Sequence, residues 1–66
     1  MNKEEWTDEV YRLLCVSQGA PNTEEQENNL REWAQNLSTE EAGFYGEGYT
    51  PEEAHDEEMS EMDNTF

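Results

Sequence analysis

Aliphatic and phenylalanine side chains are scarce in this chain, and their scarcity limits the folds that it can adopt. Only eight of the 66 residues are Leu, Val or Phe, and there is no Ile. This share of about 12% lies below the roughly 20% under which a highly charged chain is expected to be disordered. Two Trp and three Tyr counter the shortage, because each large aromatic side chain can bury about 150–250 Å². The apolar residues recur at helical spacing, so we expect a folded helical core. The alternative is a chain that folds on a partner or on a second copy of itself.

The first apolar stripe predicts a helix over residues 3–18. Its members are spaced at i, i+4, i+7 and i+8: Trp6, Val10, Leu13 and Leu14. Asn2 followed three residues later by Glu5 resembles a capping box. Gly19 and Pro21 then mark the end of the helix, since glycine suits a left-handed C-terminal position and proline cannot continue the helix.

A second helix is predicted over residues 24–45. Thr23 and Gln26 give the spacing of a capping box at its start. Its apolar stripe follows at i, i+3, i+4 and i+7: Leu30, Trp33, Ala34 and Leu37. The alternative is a break after Leu37, with Ser38 capping a new short helix. The continuous helix is favoured because the next four residues contain no Pro or Gly and the stripe resumes at Phe44 and Tyr45.

A third helix is predicted over residues 51–62, with residues 63–66 as a tail. Thr50 and Pro51 supply an N-cap and a proline at the first helical position. The apolar stripe of this helix is narrow: His55, Met59, Met62 and Phe66. Repulsion among its acidic residues should fray it.

Together these patterns predict an all-α fold, a small two- to three-helix hairpin or bundle forming one domain over residues 1–66. The first two helices are expected to be antiparallel, and the third to fold back or to remain mobile. The expected core contains seven residues: Trp6, Val10, Leu13, Leu14, Leu30, Trp33 and Leu37. A scaffold this small is marginally stable by area arithmetic, so a homodimer sharing one core is a possible means of stabilisation.

The charge excludes several classes of function. Eighteen acidic against three basic residues give a net charge of -15 and a pI near 4.1. Direct nucleic-acid binding and attachment to an anionic membrane are disfavoured, because both need a basic patch. No apolar run approaches the roughly 20 residues of a membrane span, and no signal peptide precedes the first helix. Cys15 cannot form an internal disulfide, so a cytoplasmic location is expected.

No enzymatic or metal chemistry is indicated. Cys15 has no nearby base in the sequence, and the single histidine is forty residues away. Glu52 and His55 have the i, i+3 spacing of one half of a di-iron ligand set, which needs further ligands. We therefore expect a non-enzymatic protein without cofactor or metal, and a carboxylate site shared across a dimer is the alternative.

The acidic residues are concentrated in the last part of the chain. Residues 38–66 carry ten acidic side chains and no Lys or Arg, more than solubility requires, since a net charge of about 2–8 suffices for a small domain. This pattern predicts a surface that binds a basic partner. The expected carboxylates are Glu40, Glu41, Glu47, Glu52, Glu53, Asp56, Glu57, Glu58 and Glu61. The expected apolar part of the surface is Phe44, Tyr45 and Tyr49.

The chain resembles the small acidic accessory proteins of bacteriophages and other mobile elements. The resemblance rests on size, charge, the stretch Leu30-Arg31-Glu32-Trp33-Ala34 and the helix opening Gly48-Tyr49-Thr50-Pro51-Glu52-Glu53-Ala54. It implies a bacterial host cytoplasm and a target that handles nucleic acid, such as a nuclease, polymerase, nucleoid or repair protein. The expected function is inhibition or modulation of that target, in some such proteins by DNA mimicry. The alternative is an acidic adaptor that binds through its apolar stripe, with Met59 and Phe66 as contacts.

Overall fold

Three helices make up the regular structure: α1 over Lys3–Gln18, α2 over Glu24–Leu37 and α3 over Pro51–Asp63. The computed structural model describes residues 2–39 and 43–63. These residues contain no strand, so the predicted all-α class is confirmed. The structure also confirms the predicted bounds of the first helix and, within one residue, those of the third.

The first two helices begin where their capping residues predict. The Asn2 side chain accepts a hydrogen bond from the Glu5 backbone N–H at 2.8 Å, and Thr23 Oγ1 accepts one from Gln26 at 3.1 Å. The Gln26 side chain in turn accepts from the backbone N–H of Asn22 at 2.8 Å. These bonds satisfy N–H groups that have no acceptor inside the helix, which is why short polar residues fix helix starts.

The second helix ends at Leu37, so the predicted continuous helix over residues 24–45 is wrong. At the helix end, the backbone N–H and the hydroxyl of Ser38 both donate to the carbonyl oxygen of Gln35, at 3.1 and 2.9 Å. The Leu37 carbonyl oxygen accepts from the Tyr45 N–H at 3.4 Å. Serine side chains compete with helical hydrogen bonding in this way, and the returning chain replaces the next helical turn.

Gly43 is the residue that lets the chain return across the end of α2. Its N–H donates to the Thr39 carbonyl oxygen at 3.1 Å, and the residue is buried. A Cβ atom at this position would lie 2.5 Å from that oxygen and 2.6 Å from the Leu37 carbonyl oxygen. The glycine is therefore required by close backbone packing, whereas the sequence pattern places it inside a helix.

Residues 44–49 form a turn with the hydrogen bonds of a Schellman motif. The N–H of Gly48 donates to the Tyr45 oxygen at 3.2 Å, and that of Tyr49 donates to the Phe44 oxygen at 3.1 Å. Gly48 has φ +89°, the left-handed conformation that this motif requires. The rings of Phe44 and Tyr49 lie 4.9 Å apart between centroids and supply its usual apolar contact. This closed turn delivers the chain to the start of α3.

Six hydrophobic side chains are buried: Trp6, Val10, Leu14, Ala34, Leu37 and Ala54. Four of the seven predicted core residues are among them. Leu30 and Trp33 are partly buried and pack against this cluster, while Leu13 is only partly buried. Ala54 is the contribution of α3, and it shows that the third helix packs on the core. This core is built within one chain, and the homodimer stays a prediction.

Helix α1 lies between the other two helices and contacts both. Tyr11 contacts Arg31 of α2. Trp6 contacts Tyr49, two residues before the start of α3, and Ser17 contacts His55 within α3. Lys3 lies beside Asn36 and Gln18 lies beside Gln26, so α1 is antiparallel to α2. The two contacts with Tyr49 and His55 place the ends of α1 along α3 in the same sequence direction. The extents of 32 × 31 × 17 Å describe a thin molecule with two broad faces. Within the described ranges, no helix has both the length and the apolar character that crossing a bilayer requires.

Candidate functional site

The start of α3 is fixed by a reciprocal capping box. The Glu53 N–H donates to Thr50 Oγ1 and the Thr50 N–H donates to Glu53 Oε1, both at 3.2 Å. Pro51 occupies the first helical position, where its missing N–H costs no hydrogen bond. The helix that carries most of the predicted carboxylates therefore has a well-defined first turn.

The inner side of α3 is held by four different contacts. Ala54 is fully buried, and His55 Nε2 lies 2.9 Å from the Ser17 hydroxyl of α1. The indole N–H of Trp33 donates to Glu58 Oε1 at 3.2 Å, which joins α2 to α3. The sulfur of Met59 accepts from the side-chain amide of Gln18 at 3.4 Å. These contacts fix which side of α3 faces outward.

The outer side of α3 is a row of carboxylates, which we call the α3 carboxylate face. All its members are exposed: Glu52, Glu53, Asp56, Glu57 and Glu61. The ten residues from the first to the last span about 14 Å, or about one charge per 2.7 Å. B-form DNA carries about one charge per 3.4 Å on each strand and about one per 1.7 Å in the duplex. The charge density of the face thus lies between those of one DNA strand and the duplex.

Described basic side chains do not neutralise this face. Arg12 pairs with Glu9 at 3.6 Å and Arg31 pairs with Glu27 at 3.2 Å, so these two ion pairs lie on α1 and α2. On α3 the described pair is His55 Nδ1 with Asp56 Oδ1 at 3.9 Å. The exposed carboxylates are therefore available to a basic partner.

The other predicted carboxylates differ in their placement. Glu47 is exposed in the turn before α3. Glu58 is partly buried and engaged by Trp33, so it is a link between helices rather than part of the face. Glu40 and Glu41 lie outside the described residues, as does Phe66 of the adaptor alternative.

The three predicted aromatic contacts, Phe44, Tyr45 and Tyr49, are partly buried and pack against the core. The ring of Tyr45 lies 5.6 Å from that of Trp6, and the Trp6 indole N–H donates to the Tyr49 carbonyl oxygen at 2.8 Å. Their buried parts therefore serve the fold. Met59 likewise packs against the core, so the apolar stripe of α3 contributes to folding.

A groove of about 710 Å³ runs between α1 and α2, and Lys3, Tyr11 and Arg31 are among the residues that line it. The Arg31 guanidinium stacks on the Tyr11 ring at 4.6 Å. Burial raises the pKa of Tyr11 above its ordinary 10.0; the nearby Cys15 and Glu27 raise it further, and Arg31 opposes them. The groove also contains acidic residues, so its mixed charges favour no single class of ligand.

A second groove, of about 480 Å³, lies at the turn between α1 and α2. We call it the uncharged groove, since none of the described residues that line it is charged. They include Gln18, Pro21, Gln26, Asn29, Leu30 and Trp33. Sequence reasoning missed this feature. The available signal was the absence of Asp, Glu, Lys and Arg from residues 13–23, a neutral stretch in a strongly acidic chain.

No metal site is apparent in the part of the chain that the structure describes. Within residues 2–39 and 43–63, no three His, Cys, Asp or Glu side chains are grouped so that they could hold an ion. Cys15 is a partly buried free thiol beside Tyr11.

Comparisons of this chain with protein-family models, curated proteins and solved structures found no match.

Proposed function

We propose that this protein is a non-catalytic modulator that binds a basic, nucleic-acid-handling host protein through the α3 carboxylate face. The single observation that supports the proposal is the row of five exposed carboxylates on one side of an anchored helix. A helix holds these charges at fixed separations, so binding to a basic groove does not have to order a flexible chain. Inhibition follows if the face occupies the site of the phosphates.

The bacterial setting and the DNA-mimic mechanism belong to the same proposal. The resemblance to phage accessory proteins implies a host cytoplasm, and the charge density of the face supports competition with DNA. Phosphate binding sites attract any suitably spaced anion, since much of nucleic-acid affinity is electrostatic and independent of sequence. Targets of this kind include nucleases, polymerases, nucleoid proteins and repair enzymes.

The test is capture from bacterial lysate at low salt, followed by elution with duplex DNA and then with salt. The first variant replaces the five acids of the α3 carboxylate face with Gln or Asn. The matched control neutralises five exposed acids elsewhere, on α1 and α2: Glu4, Glu5, Asp8, Glu24 and Glu25. Both variants change the net charge by the same amount, so a difference between them reports on position.

We expect the wild type and the control to retain DNA-binding proteins that duplex DNA releases, and the α3 variant to lose them. Circular dichroism must show that all three proteins are equally helical. Binding should weaken steeply with salt, since exposed charges are screened over about 8 Å at physiological ionic strength. Equal capture by both variants, or retention that neither DNA nor salt reverses, contradicts the proposal.

A further inference from the structure

We infer that the uncharged groove receives an apolar side chain of the same partner, next to the basic segment that binds the α3 carboxylate face. The inference rests on the proposed function and specifies the partner further: a basic segment followed by a neutral, apolar anchor. It assigns a role to the turn between α1 and α2, which the carboxylates alone do not explain.

The groove has the composition of a site for a neutral side chain. Leu30, Trp33 and Pro21 supply apolar surface, while the amides of Gln26 and Asn29 supply uncharged hydrogen-bonding groups. Binding sites for apolar groups combine an apolar lining with a few polar groups that fix orientation. The lack of charged residues in the described lining stands out in a chain of which 32% is charged.

Two hydrogen bonds connect residues that line the uncharged groove to residues of α3. Trp33 lines the groove, and its indole N–H donates to Glu58 of α3 at 3.2 Å. Gln18 also lines the groove and donates to Met59, one residue later on the same helix. Glu61 of the α3 carboxylate face follows Glu58 by three residues, a spacing that places their side chains about 5–6 Å apart on a helix. A partner chain that leaves the face at Glu61 therefore lies close to the groove.

Charge complementarity selects the occupant. A carboxylate in the groove would be repelled by the neighbouring acids of α3. A lysine or arginine would find no carboxylate among the described lining residues, and the adjacent Glu58 carboxylate already accepts from the Trp33 indole. An uncharged apolar side chain loses no hydration of a charge when it enters such a site. In this arrangement the charges attract the partner to α3, and the apolar side chain held in the groove slows its release.

The test uses two synthetic peptides that differ in one side chain. Both carry six alternating Lys and Arg residues and a Gly-Gly linker; one ends in Phe amide and the other in Ser amide. Isothermal titration calorimetry at low salt gives their affinities for the full chain. Both tryptophans fluoresce and the peptides contain no Trp; a change in emission on peptide binding is attributed to Trp33, because Trp6 is only 5% exposed.

We expect the Phe peptide to bind at least about tenfold more tightly than the Ser peptide, since burying a Phe ring is worth one to two powers of ten in affinity. Leu30→Ala should reduce this ratio by removing part of the groove floor. Ala20→Asp should do so at an exposed lining position, without touching the core. Val16→Asp adds the same charge at a side chain that is 85% exposed and outside the groove, and it should leave the ratio unchanged.

The outcomes separate the two proposals. Equal affinities for the two peptides, both falling with salt, overturn the groove and leave the carboxylate face intact. A preference for Phe that Ala20→Asp does not reduce also overturns the assignment to this groove. Failure of both peptides to bind overturns the inference together with the proposed function.

Discussion

The indole nitrogen of Trp6 donates a 2.8 Å hydrogen bond to the backbone carbonyl oxygen of Tyr49, 43 residues later in the chain. The bond joins the first turns of α1 to the last residue of the turn that precedes the capping box of α3. The Trp6 ring also contacts that of Tyr45, and only 5% of Trp6 is exposed. One side chain thus positions the start of the helix that carries the carboxylate face.

Trp6→Phe tests this link, because it keeps an aromatic ring and removes the N–H donor. The Tyr49 carbonyl loses its partner and the smaller ring leaves space in the core, so the free energy of unfolding should fall by about 2–3 kcal/mol. Urea unfolding followed by circular dichroism measures the change. A loss below about 0.5 kcal/mol would show that the bond does not hold α3 in place.

The bond between Trp33 and Glu58 gives a second test of how α3 is held. Glu58→Ala should lower the free energy of unfolding by about 1–2 kcal/mol, because a charged acceptor of a partly buried N–H is removed. Glu57→Ala, at the neighbouring exposed position, is the matched control and should not lower it, because this substitution removes like-charge repulsion with Glu53 and Glu61. Equal effects of the two substitutions would contradict a specific role for Glu58.

The unneutralised charge of α3 should limit the stability of the free protein. Three pairs of like charges are four residues apart on its outer side: Glu52 with Asp56, Glu53 with Glu57, and Glu57 with Glu61. Each pair costs about 0.2–0.5 kcal/mol, so the double variant Asp56→Asn/Glu57→Gln, which removes all three pairs and leaves the first turn of α3 charged, should gain about 1 kcal/mol. Its Tm should exceed that of the wild type at low salt, and the difference should shrink as salt screens the charges.

Neutralising acids in the first turn of α2 is the control, and we expect the opposite change in stability. Glu24→Gln and Glu25→Gln remove charges that the helix dipole favours at an N-terminus, so this double variant should lose stability. A gain in both variants would indicate that net charge alone, rather than its place on the helices, sets the stability.

Gly43→Ala should destabilise the protein by about 1–3 kcal/mol, because its Cβ would overlap backbone oxygens at the end of α2 and the chain would have to shift. Gly46→Ala, at an exposed position of the same segment, is the comparison and should have the smaller effect. Thermal unfolding by circular dichroism distinguishes them. Equal Tm values for the two variants would contradict the close approach at Gly43.

The raised pKa of Tyr11 predicts that the folded protein loses stability at alkaline pH. Its pKa in the folded protein is raised above 10.0, first by burial. As the pH passes 10.0 the unfolded chain gives up this proton before the folded one, so the free energy of unfolding should fall with rising pH. The decrease should be smaller in Tyr11→Phe. A titration of tyrosinate absorbance, compared between wild type and variant, should place the Tyr11 transition above pH 10.0.

Local signals predicted the helix starts and most of the core, but they did not predict the end of α2. Asn2, Thr23 and Thr50 cap the helices as their spacing predicts, since a cap involves residues three apart. The predicted continuation of α2 past Leu37 is wrong, because the Leu37 carbonyl oxygen accepts from the Tyr45 N–H where the chain returns across the helix end. Gly43 allows the backbone to come this close.

The candidate site was predictable to a similar degree. Helical periodicity and charge counting identify the acids of α3, and five of them are exposed on its outer side. The same reasoning placed Glu58 and the three aromatics in the partner surface. Glu58 bonds Trp33, and Tyr45 contacts Trp6, through pairs that are distant in sequence.

The amino-acid sequence by itself determined the helical class, the positions of the helix starts and the charge of residues 38–66, because these depend on residue type and on spacings within one or two turns. Tertiary structure decided where α2 ends, which side of α3 faces outward and where the uncharged groove lies. The physical reason is that each of these depends on contacts between segments far apart in the chain, whose energies exceed the local preferences of the residues involved.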